Sequence, residues 1–205
     1  LSLTKFLIVT DRPSDLSDFA SLLTTVLERF DPRTDLFIFD NTSHDTLDYT
    51  GPRLNHGSKA VLVGVGEPVR QLPAVYEGGH LEGVSAVSVY CPGCLVVSGD
   101  SYERDPEFPR RLLEKNKARL TGWPLVVVVD DADVARGQTS FLWTVFTRFN
   151  PASDIFADFT VHRHRLEYEL PIVIDARMKP GYPDELEPRE ETVRLVDERW
   201  KQYFE

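Results

Sequence analysis

The chain has 205 residues, 41% of them hydrophobic, enough to bury a core in one large domain or two small ones. Its 33 acidic and 23 basic side chains give a formal charge of -10, opposite in sign to the basic footprint that phosphate backbones attract, so nucleic acid is excluded as an expected partner. No apolar run approaches the roughly 18 residues of a membrane-spanning helix, and LSLTKFLIV lacks the charged front and small-residue cleavage site of a signal peptide. A cytoplasmic location is expected.

Leu1 is not an initiator methionine and a strand follows almost at once, so the chain reads as a piece of a longer polypeptide. Phe6 to Thr10 (FLIVT) is a short, branched apolar run that predicts a strand covered on both faces. Ser14 or Asp15 can cap a helix carrying Leu16, Phe19, Leu23, Val26, Leu27 and Phe30 on one stripe. Pro32 has no amide hydrogen and pushes Asp31 out of helical geometry, so that helix stops at Phe30. A strand at Leu36 to Phe39, a long polar loop NTSHDTLDYTGPRLNHGS and a strand at Ala60 to Val65 complete the first unit.

GEPVRQLPAVYEGG has the Pro and Gly density of a connection. Strands are predicted at Val84 to Val89 and Leu95 to Val97 around a CPGC turn, then a helix from Asp105 and Pro106 to about Leu120, closed by Gly122. The last segment, from Pro188, places Val193, Val196, Trp200 and Tyr203 or Phe204 on one stripe of an amphipathic closing helix. It can pack internally or reach a neighbouring protomer, and the stripe favours the neighbour.

LERFDPRTDLFIF (27–39) and FTRFNPASDIFAD (146–158) say nearly the same phrase 119 positions apart. The match runs without a gap from Phe6 to Pro52 against Leu125 to Pro171, with Ser21, Leu23, Thr25, Val26, Arg29, Phe30, Pro32, Asp35, Phe37, Leu47, Tyr49 and Pro52 all recurring. The chain is therefore an internal duplication. After Pro171 the second copy enters a strand at Ile172 to Asp175 directly, with a loop about seven residues shorter. The expected organisation is α/β, two similar sandwich units in tandem: 1–75, connecting strands and helix over 76–122, and 123–205 with the closing helix.

The candidates for chemistry each have a structural reading. Asp130 and Asp131 after VVVV stand at the carboxyl end of a buried strand, where α/β sheets bind ligands and receiver domains hold magnesium. The third strand, AVLVGV, ends without the phosphorylatable Asp that such a site needs, so a capped helix entry is expected. Cys91 and Cys94 have the spacing of a redox pair or half a zinc site, yet no other cysteine exists and a strand follows, which favours two reduced thiols at a turn. GVGEP (64–68) lacks the third Gly and the helix of a phosphate loop. His162 and His164 alternate with arginines on what reads as a solvated edge strand.

LTKFLIVTD, the helix ending ERFDPRTD, the loop NTSHDTLDYTGP, the GSKAVLVG strand and the closing IDARMKPGYPDELEP with Trp200 together resemble the C-terminal region of the UbiD family of carboxy-lyases, which includes the 3-polyprenyl-4-hydroxybenzoate decarboxylases. The duplicated form is similar to the family's longer members. The resemblance implies a full-length enzyme that decarboxylates aromatic or α,β-unsaturated acids with prenylated FMN and a divalent metal, whose ligands and catalytic pair lie in upstream domains. No catalytic, cofactor-binding or metal-binding residue is transferred to this chain.

What the resemblance implies for this region is oligomerisation and covering of the active site, in a homo-oligomer, with the upstream catalytic domains of the same polypeptide as partners. Thr46, Leu47 and Tyr49 on the long loop of the first copy are the expected pocket-facing residues. The second copy, without the polar segment around His56 to Lys59, is expected to serve packing or assembly. A free-standing tandem α/β binding or scaffold protein derived from such a region is the competing reading.

Overall fold

Alternation along the first three strands divides them into two faces. In the computed structural model, which describes residues 3–183 and 189–204, β1 (Phe6–Thr10) and β2 (Leu36–Ser43) flank β3 (His56–Gly64) in a three-stranded sheet of order β1-β3-β2. Side chains two apart share a face. Phe6, Ile8, Leu36, Ile38 and Leu62 turn inward to a core with α1 (Phe19–Arg29), while Leu7, Val9, Phe37, Phe39, Val61 and Val63 take the opposite face. A four-residue helix, α2 (Pro32–Asp35), starts on Pro32, whose fixed φ suits a first helical position.

After a connection without regular structure come β4 (Val84–Cys91), β5 (Cys94–Gly99) and α3 (Phe108–Asn116). The second unit repeats the first: β6 (Leu125–Val129), a 3-10 turn (Ala132–Arg136), α4 (Gln138–Arg148), α5 (Pro151–Asp154), β7 (Ile155–Phe156), the ribbon β8 (Phe159–His162) and β9 (Arg165–Tyr168), then β10 (Ile172–Asp175). Its sheet has the order β4-β5-β6-β10-β7. Hence β6-β10-β7 reproduces β1-β3-β2, and β4 and β5 extend it beyond β6.

Strand register proves the correspondence residue by residue. Phe6 lies opposite Ala60 and Leu125 opposite Ile172; Leu36 lies opposite Leu62 and Ile155 opposite Ile174. The first and second strands of each unit are thus offset by 119 positions, the third by 112, which places the seven-residue deletion just before β10. The interaction that ties strand to crossover also recurs: Asp11 accepts the amide of Gly66 at 3.0 Å, and Asp130 that of Met178 at 2.7 Å. The Asp at the strand end is an anchor for the backbone leaving the third strand.

The two units share one core. Phe6 meets the rings of Phe146 and Phe149, each at 5.7 Å, and Phe19 those of Phe141 and Phe146. The backbone amide of Phe19 donates to Oε1 of Gln138 at 2.7 Å, and these residues occupy equivalent places in the two copies. Equivalent positions can touch only near an axis relating the copies, so the units stand in an approximately twofold relation. Across the seam α5 packs on β2 and β3, whereas α2 packs on the ribbon strand β9. A second core joins α3 to the far face of the five-stranded sheet through Phe108, Leu112, Leu113, Trp123, Val126, Val128 and Val173.

Several expectations need correction. The cap of α1 is Asp18, which accepts the amide of Ser21, because Asp15 is occupied by Ser17; Leu16 is exposed and off the apolar stripe. β1 is not covered on both faces, since it is the sheet edge and its outward Leu7 and Val9 belong to neither core; the doubly covered strand is its equivalent β6. The polar loop is shorter than its composition suggests: residues 41–43 prolong β2 and 56–59 open β3, with Ser58 and Lys59 buried. Helix α3 starts at Phe108 and stops at Asn116. His162 ends β8 and His164 sits in the turn before β9, so the two belong to a separate ribbon.

The closing helix, α6 (Glu190–Phe204), exposes its described side chains, Val193, Val196, Trp200 and Tyr203 among them. Pro188, Leu1 and part of the quoted PDELEP segment lie outside the described residues.

Candidate functional site

Residues 53–59 are the stretch that the second copy lacks, and in the first copy they grip the other unit. Asn150 caps α5 and turns its side-chain oxygen to the amide of Ser58 at 3.0 Å and to its hydroxyl; that hydroxyl also accepts the amide of Ala152 at 2.7 Å. Beneath this seam His44 is buried with Nε2 at 2.6 Å from the carbonyl of Ser58, so Nε2 is the protonated nitrogen. The ring lies where a side chain at Gly57 would project, its atoms within 2.8 Å of an added Cβ, so only glycine fits there.

The base of the loop between β2 and β3 is therefore fixed. Asp48 continues the anchoring: it accepts from Thr50 and pairs with Lys5 at 3.0 Å. Burial raises the Asp48 carboxyl, but the Thr50 bonds and the Lys5 charge outweigh it and hold it below the usual range. In Lys5 burial wins and the ammonium is lowered despite Asp48. Above this base the tip is presented to solvent: Leu47 is 86% exposed and Thr46 is exposed too, whereas Tyr49 leans across the seam onto Tyr182, ring centroids 4.9 Å apart.

Tyr49 and Tyr182 wall an open cleft of about 950 Å³, lined also by the buried Asp154 and Asp175 and the half-buried Lys179 at its base and by Tyr102 and Arg110. That volume suits a ligand-sized group, whereas the void between the two sheets, about 30 Å³, is far too small. The sequence reading missed Lys179 and Tyr182, although both lie in the quoted IDARMKPGYP. Asp154 was visible as the recurrence of Asp35, and both do the same work: each accepts the amide four residues earlier, of Asn150 or Asp31, at 2.7 Å.

The charges at the base of the cleft are spent on one another and on backbone carbonyls. Lys179 gives its three hydrogens to the carbonyls of Arg148 and Asp175, both at 3.0 Å, and to Asp154 at 3.3 Å. Arg177, fully buried, gives all five of its side-chain N–H bonds: two to Asp175 and three to the carbonyls of Asp100, Asp105 and Pro106. A flavin phosphate or a substrate carboxylate would need a cation with donors to spare, and a divalent metal a convergent set of free ligands. Neither buried cation has one, and no group of three or more His, Cys, Asp or Glu able to hold a metal exists among the described residues. At the buried base of the cleft the donor set does not fit the cofactor or its metal; it fits a rigid wall.

Asp154 gives the cleft a pH signature. Burial lifts its carboxyl above the usual 3.8, with Lys179 pulling the other way. A folded state that holds this proton more tightly than the unfolded chain loses stability as pH rises from 3.8 through the raised folded value. Asp48, shifted down, acts oppositely: its contribution is present above 3.8 and lost as pH falls through its lower folded value. The Asp154→Asn variant is therefore expected to lack the decline above 3.8 and to keep the acid limb, read as the urea midpoint against pH. An unchanged decline would locate the titration in another group.

Cys91 and Cys94 face each other across the two-residue turn of the β4–β5 hairpin, both free and buried in the shared core. Burial pushes the Cys94 thiol up, and a hydrogen bond with Cys94 lowers that of Cys91. Among the described residues no helix is long and apolar enough to cross a membrane.

The chain is similar to known proteins along its whole length. Residues 1–64 match the 3-octaprenyl-4-hydroxybenzoate carboxy-lyase C-terminal domain, UbiD_C. A Chlamydia pneumoniae protein named as part of a 4-hydroxybenzoate decarboxylase is 44% identical over 206 aligned positions, covering 100% of this chain and 34% of that protein. A Chlamydia trachomatis protein is 45% identical, with 100% and 35% covered. The chain thus spans about a third of the length of the curated relatives it matches. Among solved structures, the closed form of Sedimentibacter hydroxybenzoicus vanillic acid decarboxylase aligns over 84% of this chain and 44% of its own, at 14% identity and a TM-score of 0.43. An evolved dimeric form of the UbiD-class enzyme HmfF from Pelotomaculum thermopropionicum, in complex with prFMN, aligns over 80% and 44%, at 15% identity and 0.40.

Proposed function

We propose, from the premise that this chain carries the C-terminal domain of the UbiD family of carboxy-lyases, that it is the oligomerisation and active-site-covering region of a UbiD-type decarboxylase. The substrates on this reading are aromatic or α,β-unsaturated acids, decarboxylated without oxidation. Prenylated FMN, its divalent metal and the catalytic acid and base belong to upstream domains of the same polypeptide. The observation that carries the reading is the saturation of the buried cations Lys179 and Arg177: with these donors used internally, they can shape and dry a pocket but have none left for a substrate carboxylate.

The loop between β2 and β3 supports the covering role, since its base is pinned while Thr46 and Leu47 stand free and Tyr49 lines the cleft. A fixed base and an apolar tip let a domain close over a reacting carbon without reordering the backbone. The α6 stripe of Val193, Val196 and Tyr203, exposed here, suits packing between protomers of a homo-oligomer.

Reconstitution tests the division of labour. The full-length protein mixed with prenylated FMN should acquire a flavin absorbance band and release carbon dioxide, whereas residues 1–205 alone should do neither; a stoichiometric flavin spectrum from the region alone would overturn the reading. In the full-length enzyme Leu47→Asp is expected to lower kcat/KM by roughly 10- to 100-fold, the scale of losing one apolar contact to substrate or closed lid. Its urea midpoint should not move, because the side chain is 86% exposed in the region itself.

A further inference from the structure

The duplication reveals a surface that one copy covers and the other leaves partly exposed. In the second unit Val126, Val128, Phe156 and Val173 form the outer sheet face, sealed by α3 through Phe108, Leu112 and Leu113, with Arg110 over the Phe156 ring. Register maps these four onto Leu7, Val9, Phe37 and Val61 of the first unit, with Val63 and Phe39 completing the patch. That patch is wholly apolar, with Val9, Phe37 and Phe39 36%, 42% and 47% exposed, and its residues belong to neither core. No described helix seals it into a core as α3 seals the second sheet. The free edge of β1 adjoins it, where the matching edge of β6 pairs with β5.

Six apolar residues on one sheet face are a docking surface rather than the scattered exposure of an ordinary monomer. The repeat also says what docks. In the second unit the cover comes from the segment immediately preceding the unit's first strand, α3 ending at Asn116 and β6 starting at Leu125. We infer that in the full-length protein the polypeptide immediately upstream of this chain lays an amphipathic helix across Leu7, Val9, Phe37, Phe39, Val61 and Val63, as α3 does across the second sheet. Relatives about three times as long supply the chain length for such a segment. The inference rests on the reading that this chain belongs to a larger UbiD-type enzyme, and it names the surface by which the region attaches to the rest.

The test uses the full-length protein with p-benzoylphenylalanine at position 37, a replacement that keeps an aromatic ring. Irradiation and peptide mass spectrometry should give an intramolecular adduct to an upstream peptide with apolar residues at helical spacing. Phe39→Cys in the same protein should react with N-ethylmaleimide at least about tenfold more slowly in buffer than in urea, as a thiol reached only through local opening. Intermolecular adducts would make a second copy the occupant and overturn the inference, as would fast labelling with no adduct. The flavin band separates the two ideas: an enzyme that binds flavin and gives no upstream adduct keeps the proposed role and loses this surface. An upstream adduct without flavin binding does the reverse.

Discussion

Replacing Arg177 by alanine is expected to destabilise the protein by about 3–5 kcal/mol, the range for breaking one side of a buried ion pair. Its side chain is fully buried, and Asp175, which it meets at 2.8 Å, is 1% exposed at the end of β10. Without the guanidinium the carboxylate is left charged in the interior, and the carbonyls of Asp100, Asp105 and Pro106 lose their shared donor. Adding Asp175→Leu to Arg177→Met should recover the part due to the stranded carboxylate, while the carbonyl of Asp105, whose bond is the buried one of the three, still costs about 1–3 kcal/mol. Urea denaturation measures both. A loss under about 1 kcal/mol for Arg177→Ala, the scale of an exposed pair, would mean that water enters this corner and that the cleft wall is not rigid.

Phe30→Ala and Phe149→Ala should each cost about 3–5 kcal/mol, as for other buried aromatic truncations. They are equivalent residues of the two copies, 1% and 0% exposed, and both belong to the core that α1, α4 and both sheets share. Because that core is common, each variant should lower the midpoint of one cooperative transition, with fluorescence and far-UV circular dichroism changing together. Two separated transitions in either variant would show that the units fold independently and that the shared core is not cooperative.

The duplication was legible because core positions recur in both copies: Phe30 and Phe149, Pro32 and Pro151, Asp35 and Asp154 each do the same job twice. The deletion was legible too, since an offset falling from 119 to 112 is visible once the strand at Ile172 is recognised. Whether a strand is central or an edge was not. FLIVT and LVVVV look alike, and the pairing of β6 with β5 and the cover of α3 on Val126 and Val128 make one buried and leave the other partly exposed. The base of the cleft was hidden for a different reason. Lys5, Asp48, Lys179 and Tyr182 are far apart in sequence, and nothing local marks a lysine whose three hydrogens will all be used.

Asp31 and Asn150 hold the same place in the two halves, yet Asp31 turns back to Arg33 within its own helix while Asn150 reaches across to Ser58. A body with near-twofold shape is thereby given a head and a tail. Substitutions at matched sites will have unmatched consequences, mild where the capping residue serves only its own turn and severe where it clasps the opposite half. Whatever binds this region finds one orientation, not two.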